Sequence, residues 1–117
     1  MHELSIAEAL VKAVKREIGA RPLGAVKAIH VQVGQLRLIE PVTLRTCYEA
    51  TARENGLYGS RLDIETVPAR AQCQECGERF AVDEPAFLCP HCDSADVELL
   101  AGKELTLTEI ELEQAQG

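Results

Sequence analysis

Two Cys-x-x-Cys pairs constrain the fold of this chain more than any other feature of its sequence. Cys73 and Cys76 form the first pair and Cys89 and Cys92 the second, with twelve residues between the pairs. Each pair occupies a tight turn that points both sulfurs at one place, so two pairs can surround a zinc ion tetrahedrally at Zn–S distances of about 2.3 Å. Four protein ligands leave no open coordination position. The spacing therefore predicts a zinc ion that stabilises structure.

The segment that carries the four cysteines is too small to bury a core of its own, so metal binding should supply much of its folding free energy. Phe80 and Phe87 flank a polar turn at residues 83–85, which predicts a short hairpin between the pairs with both rings near the metal. Iron in a rubredoxin-like site would use the same sulfurs, whereas a redox dithiol needs only one pair. His91 lies inside the second pair, and its side chain is expected to point away from the metal.

Composition argues against some common functions of zinc-binding modules. The net charge of −7 and the pI near 4.9 oppose binding to a phosphate backbone, so no nucleic-acid partner is expected. The sequence opens on no basic-then-apolar leader and has no apolar run near the ~20 residues of a membrane span. We therefore expect a cytoplasmic protein without a membrane span. Cytoplasmic thiols stay reduced, which favours metal binding over disulfides for the five cysteines.

The amino-terminal segment has the pattern of an amphipathic helix. Ser5 and Glu8 match a capping box, which predicts that the helix begins at Ser5 and that residues 1–4 form a non-helical lead-in. Gly19 predicts the end of the helix. The apolar side chains recur at helical spacing, and they are Ile6, Leu10, Ala13, Val14 and Ile18.

The middle of the chain shows a strand pattern followed by a second helix pattern. From Ala25 apolar residues occupy alternate positions, which predicts a half-buried strand whose polar face presents an exposed His30. Pro41 suits the first turn of a helix, and Asn55 marks its end. Cys47 lies on the apolar stripe of that helix, so we expect a buried, inert thiol.

Two further strands complete the predicted sheet. One is Arg61–Val67, and the other follows the cysteine pairs and shifts its inward phase near Thr108, as a β-bulge would cause. The predicted fold is α+β, a three-stranded sheet with two helices on one face and an inserted four-cysteine, zinc-ribbon-like module. We expect residues 1–67 and 101–117 to form the α/β domain and residues 68–100 to form the module.

The first three residues can chelate a metal ion. The Met1 amino group, the His2 peptide nitrogen and the His2 imidazole are successive donors that close two fused chelate rings. A fourth donor could come from the backbone or the carboxylate of Glu3. Nitrogen donors in one plane favour Ni(II) or Cu(II). The alternative is a frayed terminus in which the histidine has no role.

Taken together, these features resemble the HypA family of hydrogenase maturation nickel chaperones, which includes HybF. The resemblance rests on the terminus Met-His-Glu-Leu-Ser, the small α/β body and the inserted four-cysteine module, and it covers essentially the whole chain. It implies that Met1, His2 and Glu3 bind nickel as cargo and that the four cysteines bind structural zinc. It also implies that the protein is not an enzyme. The implied partners are a HypB-type GTPase and the large subunit of [NiFe]-hydrogenase, with urease maturation proteins for some members.

Two other functional classes remain open at this point. A zinc-ribbon module for nucleic-acid or protein interaction would match the cysteine pairs but not the acidic charge. A rubredoxin-like electron carrier would match the four sulfurs. We find no Ser-His-Asp or Cys-His arrangement and no glycine-rich phosphate loop that would indicate catalysis.

Overall fold

The computed structural model describes residues 2–84 and 87–113. In chain order the helices and strands are α1 His2–Ile18, β1 Val26–Gly34, α2 Pro41–Glu54, β2 Arg61–Val67, β3 Arg70–Cys73, β4 Arg79–Ala81, β5 Val97–Ala101 and β6 Leu105–Leu112. They form two three-stranded sheets, with strand orders β2-β1-β6 and β4-β3-β5. The predicted α+β fold, with its two helices, three-stranded sheet and clustered cysteines, is confirmed. The second sheet was not predicted.

Among the described residues the chain divides into two compact units. Gln32–Leu38 and Thr66–Leu105 form the second unit, and the rest of the described chain forms the first. The module expected at residues 68–100 lies within the second unit, which also takes in the end of β1 and the turn after it. Each unit has its own buried residues.

Helix α1 begins at His2, so the expected start at Ser5 is wrong. The residues expected to form a non-helical lead-in after Met1 make the first turn instead. Glu3 lies in that turn, where the positive end of the helix dipole stabilises a carboxylate. Its Oε2 also accepts a hydrogen bond of 3.3 Å from the backbone N–H of Glu40. This contact joins the starts of α1 and α2, and a local capping motif gives no information about it.

Helix α2 begins at Pro41 as predicted, and Glu40 caps it. The Glu40 carboxylate accepts from the amides of Val42 and Thr43, which are among the four that lack helical acceptors. Cys47 is half-buried, so the expectation of a buried thiol is wrong. The buried face of α2 includes Ala52 and does not include Cys47.

Helices α1 and α2 pack together over the core of the first unit. The buried side chains of this core are Ile6, Ala7, Leu10, Val11, Val14, Ile18, Val26, Ala28, Ile29, Val31, Leu44, Tyr48, Ala52, Leu57 and Leu62. Fully burying a Val, Leu or Ile side chain contributes about 1.5–3 kcal/mol. The Tyr48 hydroxyl, also buried, shares a hydrogen bond of 2.7 Å with the Ser60 hydroxyl. The first unit therefore has a core that contains no metal ligand from the cysteine pairs.

Strand β1 is the central strand of the first sheet, and β6 runs antiparallel to it. The amide of Glu113 donates to the Ala25 carbonyl and that of Gly34 donates to the Glu104 carbonyl, each at 2.7 Å. The predicted change of phase in β6 is confirmed, because Thr108 and the next residue are both exposed. The β-bulge proposed as its cause stays a prediction.

The first cysteine pair begins at the last residue of β3 and continues into the turn that leads to β4 in the second sheet. Strand β3 pairs antiparallel with β4 on one side and with β5 on the other. The hairpin expected between the two cysteine pairs is instead formed by β3 and β4 around the first pair, because Cys73 ends β3 and the chain turns back at once. Of the turn expected at residues 83–85, Pro85 lies outside the described residues.

The aromatic side chains of the second unit pack on a small core of its own. The rings of Phe80 and Phe87 meet edge to face, with centroids 6.2 Å apart. Both contact the buried cluster of Ala69, Ala71 and Val82. Three small side chains give a core too small to hold this unit together without help from a bound ion.

Candidate metal centres

The four cysteine sulfurs converge at one point of the second unit. All four Sγ atoms lie within 4.8 Å of one another. Cys73 Sγ is 3.5 Å from Cys92 Sγ, and Cys76 Sγ is 3.7 Å from Cys89 Sγ. A tetrahedron with Zn–S bonds of about 2.3 Å has S···S edges of about 3.8 Å. The sulfurs therefore already stand close to the corners that a tetrahedral ion requires, and the cluster is a structural metal site.

The two cysteine pairs adopt the same turn. Cys73 N–H donates to the Glu78 carbonyl and its own carbonyl accepts from Gly77; Cys89 repeats this pattern with Ser94 and Asp93. The residue after each pair is in the left-handed region, with φ 77° at Gly77 and 62° at Asp93. Glycine and aspartate both tolerate that conformation. The sequence of each turn therefore sets the direction of its two sulfurs.

The four thiols lie so close together that ionisation of one raises the pKa of another. The pKa of Cys73 is lowered to about 7, first because the Cys76 amide donates to its sulfur. The Ser94 amide acts most strongly on the Cys92 thiol and lowers its pKa, but the contact with Cys73, burial and the other two thiols together outweigh it and raise the pKa to about 12. A thiolate at Cys73 thus opposes ionisation at Cys92. Four thiolates can coexist here only if a cation offsets their repulsion.

His91 stays outside the cluster of sulfurs. Its side chain is exposed, and its backbone N–H donates to Cys89 Sγ at 3.4 Å. Hydrogen bonds from backbone amides stabilise thiolates and orient metal-binding sulfurs. His91 therefore contributes its backbone to this site. The expected closeness of the Phe80 and Phe87 rings to the metal stays a prediction.

The amino terminus carries the residues that the sequence predicts as nickel ligands. His2 is exposed on the first turn of α1, and Met1 lies outside the described residues. The pKa of Glu3 is lowered, first by the hydrogen bond from the Glu40 amide and then by its own amide. Glu3 therefore offers an ionised carboxylate next to His2. Within the described part of the chain, neither cluster of three or more metal-binding side chains includes His2.

A second cluster of possible metal ligands lies on the first sheet. It contains His30, Asp63 and Glu111, which come from β1, β2 and β6. His30 was expected to be exposed, but it is half-buried among these carboxylates. The sequence placed His30 on a polar face without identifying its neighbours, because they are 33 and 81 residues away. An alternation of carboxylates at Glu109 and Glu111 was the available signal.

Comparison with known proteins agrees with this geometry. A family model described as "Hydrogenase/urease nickel incorporation, metallochaperone, hypA" matches residues 1–112. The hydrogenase maturation factor HypA of Azotobacter chroococcum is 36% identical over 113 residues, which cover 97% of this chain and 100% of the relative. The HypA of Chlorobium limicola is 37% identical over 114 residues, covering 97% and 98%.

The fold is also that of solved structures. The solution structure of the Ni metallochaperone HypA from Helicobacter pylori has a TM-score of 0.66 at 21% identity, covering 98% of this chain and 100% of that one. A second solution structure of a HypA protein has a TM-score of 0.65 at 22% identity and covers 96% of each chain. At these identities the likeness bears on the fold alone.

Together the matches define a class of protein, the metallochaperones for nickel incorporation into hydrogenase and urease. The chain belongs to the HypA family. The alternatives of a nucleic-acid module and an electron carrier are not favoured by these matches. No helix of the described chain is long and apolar enough to cross a membrane.

Proposed function

We propose that this chain carries nickel at its amino terminus for hydrogenase maturation and holds a permanent zinc ion at its four cysteines. The observation that carries the proposal is the contrast between a closed cluster of four sulfurs and an exposed terminus where Glu3 is held ionised next to His2. A cargo ion needs a site that a partner can reach. The closed cluster offers no open coordination position for that purpose.

Zinc is the proposed ion of the cysteine cluster. Four thiolates in a tetrahedron suit Zn2+ or iron. The four cysteines of the cluster donate sulfur, and the cluster contains no oxygen or nitrogen ligand that would favour a harder metal ion. Zinc has no redox chemistry, so it would hold the second unit together without reacting. In this proposal residues 68–100 are the zinc module, and residues 1–67 and 101–117 are the nickel-binding α/β domain.

Met1, His2 and Glu3 are the proposed nickel ligands. The first four amides of a helix lack intrahelical acceptors, so the helical start at His2 leaves its peptide nitrogen outside the helical hydrogen-bond ladder. The Met1 amine, that nitrogen and the His2 imidazole would bind in one plane, as Ni(II) accepts. The Glu40 amide would orient the Glu3 carboxylate from behind.

The proposed partners follow from the family. We infer that a HypB-type GTPase and the large subunit of [NiFe]-hydrogenase exchange nickel with this chain in the cytoplasm, and that urease maturation proteins are further candidates. Nothing in this role requires catalysis, so the protein acts by binding and transfer. The exposed basic face of α1, with Lys12, Lys15 and Arg16, is the nearest charged surface in the sequence and a candidate contact for a partner.

One residue added before Met1 tests the nickel site. The extension preserves every side chain but converts the Met1 amine into a peptide nitrogen, so nickel binding by zinc-loaded protein should weaken strongly in a calorimetric titration. His2→Ala should weaken it as well. An unperturbed α-amino group has a pKa of about 7.7–8.0, so binding through the amine should release protons and weaken as the pH falls below neutrality.

Zinc content and helical circular dichroism serve as controls in both variants and should equal those of the native chain. If the extended protein bound nickel as tightly as the native one, the amine would not be a ligand. If His2→Ala also bound normally, the amino-terminal site would have to be abandoned.

A further inference from the structure

His30 lies at the centre of the first sheet with acidic side chains on both neighbouring strands. Its Nε2 is 2.5 Å from Glu111 Oε2 and 3.2 Å from Glu109 Oε2, both on β6. Its Nδ1 is 3.6 Å from Asp63 Oδ2 on β2. Each ring nitrogen therefore faces a different group of carboxylates, and the three strands bring them together from distant parts of the sequence.

On the Nε2 side, the distance to Glu109 matches that between two ligands of one metal ion. Nitrogen and oxygen ligands about 2.1 Å from an ion lie about 3.0–3.4 Å from each other in octahedral or tetrahedral geometry. The distance of 3.2 Å from Nε2 to Glu109 lies in this range, whereas the distance of 2.5 Å to Glu111 is that of a short hydrogen bond. An ion would replace the proton on Nε2, and the Glu111 carboxylate would have to move away from the ring by about 0.5 Å to admit it.

Charge on this face also favours a cation. Glu109 and Glu111 occupy alternate positions of one strand, so their side chains share a face, where like charges repel. Arg61 is the positively charged neighbour that contacts the group, at 3.0 Å from Asp63 and 3.6 Å from Glu111. Arg45 also acts on Asp63, so three carboxylates face two guanidinium groups and the His30 ring. His30, Asp63 and Glu109 line an open depression that solvent ions can enter.

Asp63 lies where it could orient the His30 ring from the Nδ1 side. Histidines that bind metals commonly donate their other ring N–H to a carboxylate, which sets the ring orientation and raises the basicity of the metal-binding nitrogen. Asp63 lies on the Nδ1 side, within ion-pair distance of the ring. Arg61 holds the Asp63 carboxylate through its Nε, at 3.1 Å, and through its terminal nitrogen.

We propose that His30, Glu109 and Glu111 form a divalent-metal site on the open face of the first sheet, with Asp63 as a positioning residue for the imidazole. One imidazole nitrogen with two carboxylates is a donor set for Ni2+, Co2+ or Zn2+, whereas Mg2+ and Ca2+ prefer oxygen ligands alone. The site uses no atom of the amino terminus or of the cysteine cluster. It stands whether or not the proposed nickel site at His2 does.

The test separates this site from the other two. Zinc-loaded His2→Ala protein is titrated with Ni2+, by calorimetry and by paramagnetic broadening in ¹H–¹⁵N spectra. One Ni2+ per chain should still bind, with broadening centred on residues 30, 63, 109 and 111. In the same background, His30→Gln and Glu111→Gln should each weaken binding by about tenfold or more, and Asp63→Asn by about 10–100-fold with the stoichiometry retained.

Glu49→Gln is the matched control, since it makes the same charge change as Glu111→Gln at an exposed position of α2. Zinc content and circular dichroism show whether each variant is folded. The proposal is overturned if folded His2→Ala protein takes up no Ni2+ beyond its zinc, if the broadening falls elsewhere, or if Glu49→Gln and Glu111→Gln weaken binding equally. If instead the nickel site proposed at the amino terminus does not exist, His2→Ala protein would bind Ni2+ with the affinity and stoichiometry of the native chain.

Discussion

The cysteine cluster and the nickel site proposed at the amino terminus differ in how many ligands the fold positions in advance. Two copies of one turn place four sulfurs at tetrahedral distances, and Cys73 and Cys89 are buried. At the amino terminus, as far as the structure describes it from His2 onward, His2 is exposed and a hydrogen bond orients the Glu3 carboxylate. A prebuilt, saturated site retains its ion, whereas an open site with few oriented ligands can exchange it. The contrast suits a protein that keeps one metal and passes on another.

The largest expected effect comes from breaking the prebuilt site. Cys73→Ala removes one of four sulfur ligands, so zinc content by metal analysis should fall close to zero. The second unit should then lose its order, because zinc binding supplies on the order of 10 kcal/mol of folding free energy in small zinc domains. Amide exchange in β3, β4 and β5 should become fast. Helices α1 and α2 should persist, because their core contains none of the four clustered cysteines.

Cys47→Ala is the matched control for that experiment. Cys47 is half-buried on α2 and lies outside the sulfur cluster, so its removal should leave zinc content unchanged. Full zinc occupancy in Cys73→Ala would contradict the assignment of the site. Loss of zinc in Cys47→Ala would show instead that any cysteine change disturbs it.

A smaller loss of stability is expected from a substitution at Gly34, where two backbone segments of the second unit lie in close contact. A Cβ added at Gly34 would lie 2.1 Å from Gly102 backbone atoms and 2.4 Å from the Lys103 amide nitrogen, and backbone cannot move aside as a flexible side chain can. Gly34→Ala should therefore destabilise the second unit by about 1–3 kcal/mol or more, measured by urea denaturation. Gly24→Ala meets open space and should change stability by less than about 0.5 kcal/mol. Equal effects of the two changes would contradict the close approach.

The next prediction concerns the oriented carboxylate of the open site. The lowered pKa of Glu3 means that it stays ionised well below neutral pH, so its charge is available to nickel throughout the physiological range. Glu3→Gln should weaken nickel binding by about tenfold or more, as expected when a group around a metal is removed. Glu8→Gln, an exposed change on the same helix, should have no effect in the same calorimetric titration. A Glu3→Gln protein with native nickel affinity would exclude the carboxylate as a donor.

The smallest effect is expected in the metal-free core of the first unit. Tyr48→Phe deletes a buried hydrogen bond to Ser60 and should cost about 1 kcal/mol of stability. Burial raises the pKa of Tyr48, so the folded state favours the neutral phenol. That contribution is fully present below the unfolded pKa of about 10 and is lost as the pH rises through the folded pKa.

Native protein should therefore lose stability more steeply than Tyr48→Phe above pH about 10 in thermal melts. Tyr58→Phe, at an exposed position, serves as the control and should match the native chain. Identical alkaline profiles for native and Tyr48→Phe protein would argue against a buried phenol at this position.

Much of the fold could be predicted where the information is local. Strand β2 has the predicted bounds Arg61–Val67, and α2 begins at Pro41, since alternation and the fixed φ of proline act within a few residues. The start of α1 could not be predicted from its capping box. The contact between Glu3 and Glu40 spans 37 residues, and no local motif reports a partner so far along the chain.

By itself the sequence determined the spacing of the two cysteine pairs, the amphipathic faces of the helices and the order of the elements, because each depends on backbone periodicity and turn chemistry over short distances. Only the tertiary structure decided which groups meet across long separations. It extended α1 to His2, left Cys47 half-exposed, and surrounded His30 with carboxylates from two other strands. The physical reason is that strand pairing and helix packing set the neighbours of a side chain, and residue type alone does not specify which strands will pair.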